Sequence, residues 1–351
     1  MRMDTKVLKA LQWQVFQNVA AAQLVPLMRI GDELGLFTTL ARVGPCDNAH
    51  FAKAAEIHVR YSLEWLCAMC AAGYASYDSE HGHFFLSEEQ AAVFAFEDST
   101  SLMIGAYDSV ASLVMDEPKV RAAFKTGEGL AWGEHHPCYF RGTARFFKPV
   151  YKSNLVSRWL PKIPALTEKL TAGGSFADVG CGHGVSTMLI AEHFPSAKVH
   201  GFDFHGPSIE EAKRLAAEAG LSERIHYETR SAKDYSGAFD VIAFFDCLHD
   251  MGDPVGAAEH ACRQLKEDGL LVIIEPFAND KLEDNFNIVG QMFYTASTMG
   301  CVPASMAQEV GLALGAQAGP GKLGMVLQQA GFSKVETVAT TATNMVMCAR
   351  K

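Results

Sequence analysis

Positive charge is scarce along this chain of 351 residues: 30 Lys and Arg face 40 Asp and Glu, a net charge of −10, and no basic run occurs anywhere. Phosphate backbones and anionic membrane surfaces need clustered cations, so a nucleic-acid or membrane partner is not expected. No apolar stretch is long enough to span a bilayer, and the first residues, MRMDTKVLKALQWQVF, carry no signal-peptide pattern. Repeats and low-complexity segments are also missing. The nine cysteines are scattered and odd in number, which argues against a disulfide framework and for a reduced, cytoplasmic setting. Cys67 and Cys70 form one CxxC without a second pair, and read as small buried residues of a helix. His135-His136-Pro137-Cys138 is too isolated to argue for a metal. No metal is expected.

What is present is apolar residues, 49% of the chain, in a pattern that changes along its length. Residues 1–98 read as helices followed by a hairpin: LVPLMRIGDELGLFTTLA with helical spacing of Leu24, Leu27, Ile30 and Leu34, then AHFAKAAEI, then RYSLEWLCAMCAAGYA, then strand-turn-strand over YASYDSEHGHFFLS. Three helices and a hairpin make a winged-helix pattern. Its charge is wrong for DNA: seven Lys and Arg (Arg2, Lys6, Lys9, Arg29, Arg42, Lys53, Arg60) against twelve Asp and Glu. A dimer interface or the wall of a substrate pocket suits it better. Residues 99–165 form a helical linker broken by TGEGLAWGEHHPCYF, whose Trp132, His135, His136, Tyr139 and Phe140 either cap a core or line an acceptor pocket.

From residue 166 to 351 strands and helices alternate, which means a mostly parallel sheet covered on both faces. The fold class is therefore α/β, with an N-terminal, mostly α winged-helix domain. FDVIAFFD and GLLVIIEP are buried strands, and Asp253-Pro254 reads as a helix cap and first helical residue. An irregular insertion at about 279–321 (rich in Met, Ala and Gly) precedes the helix KLGMVLQQAGF and two last strands, KVETVAT and NMVMCARK. The insertion lies over an acceptor pocket, lined by Gln291, Tyr294, Ser297 and Met299, or packs against a partner chain.

Between the first strand and its helix stands Asp178-Val-Gly180-Cys181-Gly182-His-Gly184, and the next strand ends at Asp203. Glycines there let a ligand approach the backbone, and a carboxylate at the end of the second strand can accept hydrogen bonds from a ribose diol. A pyrophosphate would be repelled by Asp178, whereas an ammonium would be attracted. An adenosine carrying an amino-acid tail, S-adenosylmethionine, fits that pattern.

DVGCGHG resembles the first motif of class I S-adenosylmethionine-dependent methyltransferases. Asp203, SAKDY, FFDCLHDMGDP and DGLLVIIEPF follow in the family's order, and LGLFTTLA and RYSLEWLCAMCAAGYASYD are similar to the winged-helix dimerisation domain of small-molecule O-methyltransferases. The resemblance implies a Rossmann-like seven-stranded sheet, S-adenosylmethionine as cofactor, S-adenosylhomocysteine as product, a small-molecule acceptor and a homodimer. It implies that Asp178, Gly180, Cys181 and Gly182 line the methionine tail. Asp203 would hold the ribose and Phe204 the adenine. Ala232, Lys233 and Asp234 would bind the adenine amino group, and Phe245 and Asp246 would close the site. It implies His249 as general base of O-methylation, oriented by Glu275. The family's second acidic partner, shortly before the final helix, is missing: no Asp or Glu stands between Val310 and Val335. Methyl transfer to a thiol or amine, and a regulator that senses the cofactor without catalysis, are the alternatives.

Overall fold

The computed structural model describes residues 3–351 and divides into two units, Met1–Ala111 with Arg141–Pro149, and Ser112–Phe140 with Val150–Lys351. The first begins with a long helix, α1 (Thr5–Glu33), capped by Asp4, whose carboxylate accepts the amides of Lys6 and Val7. The 3.6-residue pattern over its first five turns is too weak to have been read from sequence: Val7, Leu11, Trp13, Val15, Phe16 and Val19 point out all round and stay exposed. Gly35, at φ +62°, turns the chain into α2 (Leu36–Val43), followed by α3 (Asn48–Ala54), α4 (Val59–Ala71) and the hairpin of β1 (Ser76–Asp78) and β2 (His83–Phe85). Then come α5 (Glu88–Phe94) and α6 (Ala106–Thr126). Phe37, Phe51, Trp65, Leu66 and Met69 make the core of this unit. The backbone of α1 meets that core at Gly31, where a Cβ would lie 2.8 Å from both the Phe37 and Trp65 rings. The CxxC differs from expectation: Cys67 is exposed and Cys70 half-buried, because Ser62, Trp65, Leu66 and Met69 define the inner face of α4.

The second unit holds part of α7 (Cys138–Asn154), then α8 (Pro164–Thr171) and a seven-stranded sheet. In chain order its elements are β3 (Ser175–Val179), α9 (Val185–His193), β4 (Lys198–Asp203), α10 (Gly206–Glu218), β5 (Ile225–Thr229), β6 (Phe239–Phe245), α11 (Pro254–Gln264), β7 (Leu265–Pro276), α12 (Ile288–Ala296), α13 (Val302–Met306), α14 (Gly319–Gln329), β8 (Lys334–Thr340) and β9 (Asn344–Arg350). The strand order is β5-β4-β3-β6-β7-β9-β8, parallel except for β9, which runs antiparallel to both neighbours. The alternation implied a mostly parallel sheet, and the resemblance implied the seven-stranded Rossmann-like arrangement seen here. The chain leaves β3 toward β5 on one side and returns through β6 on the other. The carboxyl ends of β3 and β6 therefore flank the switch point, where ligands of such sheets bind. The segment expected to be irregular is largely helical. A 3-10 turn at Leu282–Asn285 leads into α12, a π-helical turn at Ser297–Cys301 and α13. Its many Gly and Ala mask a helical pattern because they bury backbone rather than large side chains.

Candidate active site

The turn after β3 is built on positive φ angles: Gly180 +76°, Gly182 +53° and Gly184 +75°. The three glycines differ in surroundings. A Cβ on Gly184 would lie 2.2 Å from the Tyr227 hydroxyl, and one on Gly180 would lie 2.7 Å from Cys247 Sγ, whereas one on Gly182 would meet nothing within 4 Å. Gly184 and Gly180 are packed; Gly182 borders open space. The amides of Gly180 and Cys181 donate to the carbonyl of Phe202 at 2.7 and 3.1 Å, tying the turn to β4. The Cys181 side chain is buried against the sheet and burial pushes its thiol well up, so this residue faces inward.

Asp178 is wholly buried. Its Oδ2 accepts the hydroxyls of Ser186 (2.6 Å) and Thr187 (2.7 Å) from the first turn of α9, while Oδ1 is buried with no partner. Burial outweighs the two hydroxyl bonds and raises its pKa to about 6. Asp203, at the end of β4, accepts one amide on each oxygen, Gly182 at 2.9 Å and His205 at 2.8 Å. Each carboxylate oxygen keeps a further lone pair. Phe204 beside it is 53% exposed, unusual for so large an apolar ring. Ala232, Lys233 and Asp234 form the turn after β5. Asp234 is exposed, whereas the Lys233 ammonium is engaged with Asp253 at 3.0 Å and with Glu309.

At the end of β6 the Phe245 ring is buried near Tyr151 and Phe176, in the core. Asp246 takes φ +50°, a conformation rare outside glycine. It accepts the hydroxyl of Tyr151 and the Asn344 amide at 3.1 Å. Burial first, then the nearby Glu275 charge, raises its pKa to about 8.

The next turn carries His249, 4% exposed. Its Nδ1 bonds Glu275 Oε2, and the other oxygen of Glu275 accepts the Leu248 amide at 2.9 Å. Its Nε2 lies 3.2 Å from Asp250 Oδ1. Burial opposes its charge, but Asp250 and Glu275 prevail and hold its pKa well above the usual histidine value. The second carboxylate beside His249 is Asp250, the very next residue. Cys301, ending the π-helical turn, is buried within 4.8 Å of the ligand atoms of both His249 and Asp250. Burial and the Asp250 charge push its thiol up to about 12.

The aromatic segment before α7 comes to the same end of the sheet. Phe140 stacks on His205, centroids 4.7 Å apart, and Trp132 packs on Tyr139 and Phe140. His135 stacks on Tyr139 at 4.7 Å, and its Nδ1 bonds Asp116 at 3.0 Å while its Nε2 is buried without a partner. His136 donates its amide to the same Asp116 carboxylate. No sequence signal marked Asp116, nineteen residues upstream on α6. The Tyr139 ring abuts Gly300, whose missing Cβ would stand 2.2 Å from the hydroxyl. On α12, Gln291 is exposed and Tyr294 half-buried, with Met299 half-buried just beyond. Ser297 is turned inward, its hydroxyl accepting the Ala316 amide at 3.0 Å.

Residues 170–331 match the model of a family described as a methyltransferase domain, and residues 22–95 match an Rv2258c-like winged HTH domain. The chain carries a methyltransferase domain behind a winged helix-turn-helix domain. A chain from Nostoc punctiforme, assigned as an O-methyltransferase, superimposes on it with a TM-score of 0.74 at 18% identity, covering 100% of both chains. Human N-acetylserotonin methyltransferase, solved with S-adenosylmethionine, does so with a TM-score of 0.71 at 17% identity over 97% of each. At such identities these likenesses establish the fold. By sequence, the ribosomal RNA small subunit methyltransferase C of Salmonella choleraesuis is 31% identical over 106 residues, 29% of this chain and 31% of that protein. The curated relatives are matched over only about a fifth to a third of their own length. The methyltransferase domain contains the glycine turn, Asp178, Asp203, His249 and Glu275; Trp132 to Phe140 lie before it and Asn344 after it.

Proposed function

We propose that this protein transfers a methyl group from S-adenosylmethionine to the oxygen of a small, partly apolar acceptor. One observation carries the reading. In the strand that leads into the turn, Asp178 carries a buried carboxylate oxygen, Oδ1, with no partner, and four residues on Gly182 borders open space. A buried unpaired oxygen is costly, and an ammonium group would complete it. When bound, S-adenosylmethionine supplies an activated methyl on a sulfonium centre. Asp178 holds the positively charged end of the ligand. Gly182 allows close backbone approach. Asp203 accepts the ribose hydroxyls through its remaining lone pairs, Phe204 offers its exposed ring to the adenine, and Asp234 accepts the adenine amino group. Asp246, closing the end of β6, presents a carboxyl that is neutral below about pH 8.

On the acceptor side, Trp132, Tyr139 and Phe140 provide aromatic surface, and His135 Nε2 provides an unsatisfied polar contact. Gln291 and Tyr294 lie on α12 and would border the entrance. Orientation of the acceptor oxygen toward the methyl is the main catalytic contribution. His249 accepts the acceptor proton only if Asp250 leaves Nε2, since Glu275 already occupies Nδ1. A ribosomal RNA acceptor is disfavoured by the net charge of −10. The exposed apolar residues of α1 support a homodimer formed through that helix.

The test is calorimetric titration with S-adenosylmethionine and S-adenosylhomocysteine beside an Asp203→Ala variant, followed by transfer of labelled methyl to a panel of phenols, thiols and amines. Binding that weakens at least tenfold in the variant, with label appearing on phenols, supports the reading. A wild-type protein that binds neither ligand refutes it.

A further inference from the structure

His135 lies on the segment that leads into α7, and its side chain is completely covered. Its Nδ1 bonds Asp116 Oδ2 at 3.0 Å, and its Nε2 is buried with no partner. We propose that Asp116 and His135 form a specificity pair, which selects acceptors that carry a second hydrogen-bond donor, a ring hydroxyl or N–H, beside the hydroxyl that is methylated. The inference rests on the methyl-transfer reading and names a substrate class for it: an aromatic acceptor with two polar hydrogens, such as a dihydroxybenzene.

The hydrogen bonds around Asp116 set what Nε2 can do. The Asp116 carboxylate also accepts the His136 amide, at 3.2 and 3.0 Å from its two oxygens, and lies 3.4 Å from the Lys119 ammonium. Burial opposes its charge, but the His136 amide and the His135 ring prevail and hold its carboxyl below the usual carboxylate range. An ionised carboxylate only accepts, so Nδ1 is the nitrogen that donates. Nε2 of the neutral ring is then a bare lone pair. It calls for an O–H or N–H, and a buried acceptor left without one is costly.

The surroundings of that lone pair are aromatic. His135 stacks on Tyr139, centroids 4.7 Å apart, and Trp132 stands edge-on to both, 6.1 Å from His135 and 5.4 Å from Tyr139. Trp132 and Phe140 are only half-buried, which leaves ring surface for a flat ligand. Tyr139 also links this place to the turn after β6. Its ring carries His135 on one face, and its hydroxyl abuts Gly300, the neighbour of Cys301 beside His249. His249 after β6 and His135 before α7 stand on separate elements. With the reacting oxygen presented to the first, the group that His135 takes is a second one.

The experiment uses the full-length protein saturated with S-adenosylhomocysteine. Phenol, the three dihydroxybenzenes and their monomethyl ethers are titrated into it by calorimetry, and transfer of labelled methyl to the same compounds is measured in parallel. The best dihydroxybenzene should bind about tenfold or more tightly than phenol. In His135→Phe, which keeps an aromatic ring on Tyr139, that preference should fall to about twofold or less, with phenol and S-adenosylhomocysteine affinities within about twofold of wild type. Asp116→Asn decides the matter if His135→Phe does not fold. Its amide oxygen can keep the His136 amide while its NH2 donates to Nδ1, which moves the ring proton to Nε2. The monomethyl ether should then bind better than the dihydroxybenzene, a reversal that loss of packing would not produce. A preference that is absent from the wild type, or that survives in either folded variant, overturns the proposal. Label on none of the compounds, with the binding preference intact, supports the pair as a recognition site and counts against the methyl-transfer reading alone.

Discussion

Substituting alanine at Gly182 and at Gly184 separates a glycine that serves a ligand from one that serves the fold. Both sit at positive φ, +53° and +75°, so each Ala costs about 1 kcal/mol in backbone strain. The steric term differs. At Gly184 the new methyl would stand 2.2 Å from the Tyr227 hydroxyl and 2.9 Å from its ring, in a buried setting. Moving that ring adds about 1–3 kcal/mol of overpacking. At Gly182 no atom lies within 4 Å, so Gly182→Ala should lower the melting temperature by only about 2 °C and Gly184→Ala by about twice that or more. Ligand affinity should show a different pattern. The Gly182 methyl projects into the space assigned to the methionine tail, and a tenfold loss of S-adenosylhomocysteine affinity, about 1.4 kcal/mol, is the least expected. Scanning calorimetry and titration on the same preparations decide it. If Gly182→Ala binds within twofold of wild type, the turn does not cradle the ligand and the reasoning fails.

Three further outcomes follow from the same geometry. Because Asp178 has a folded pKa of about 6, above that of the unfolded chain, the folded state binds more protons between about pH 4 and 6 and ligand-free stability falls as pH rises through that window. A ligand ammonium needs the ionised form, so S-adenosylhomocysteine affinity should drop about tenfold for each unit below pH 6, and Asp178→Asn should flatten that dependence. Asp246 is protonated at neutral pH and sits at φ +50°, which asparagine tolerates, so Asp246→Asn should leave the melting temperature within about 3 °C, while Asp246→Ala strands Tyr151 and Asn344 and should lower it by more. Charging the exposed apolar surface of α1 by Leu11→Glu with Phe16→Glu should shift the particle seen by light scattering from two chains to one; a monomer in both samples would count against the homodimer.

The sheet was legible because its strands are nearly all apolar and its punctuation is chemically forced. Gly180 and Gly184 need their φ angles and their missing side chains, and Asp253-Pro254 caps α11 as read, with Asp253 accepting the Gly256 amide at 2.8 Å. The first five turns of α1 and the helical character of residues 288–306 were not legible. In the one, apolar residues point in every direction; in the other, Gly300 and its neighbours serve close packing against Tyr139. Periodicity detects a stripe of large apolar residues: the first five turns of α1 bury none, and the buried stripe of residues 288–306 (Gly290, Phe293, Ser297, Gly300, Ala304) is built mostly of small ones.

The candidate site was read unevenly for a related reason. Residues proposed to hold the cofactor through a local turn, such as Asp178, Gly182 and Asp203, are spaced by the strand-turn-helix unit itself, so sequence spacing reports their geometry. Residues that meet across the fold carry no such spacing. Asp116 reaches His135 from α6, and Cys301 reaches His249 from a π-helical turn fifty-two residues on. The carboxylate beside His249 Nε2 illustrates the point best. The resemblance implies a second acidic partner for His249 at a distance, whereas Asp250 stands adjacent in the sequence. In a 3-10 turn consecutive side chains diverge by about 120°, so adjacency alone argues against contact. The two groups converge here because Glu275 pulls the imidazole down through Nδ1 and turns Nε2 toward Asp250. The fifth strand of the parallel sheet thus fixes which way His249 faces.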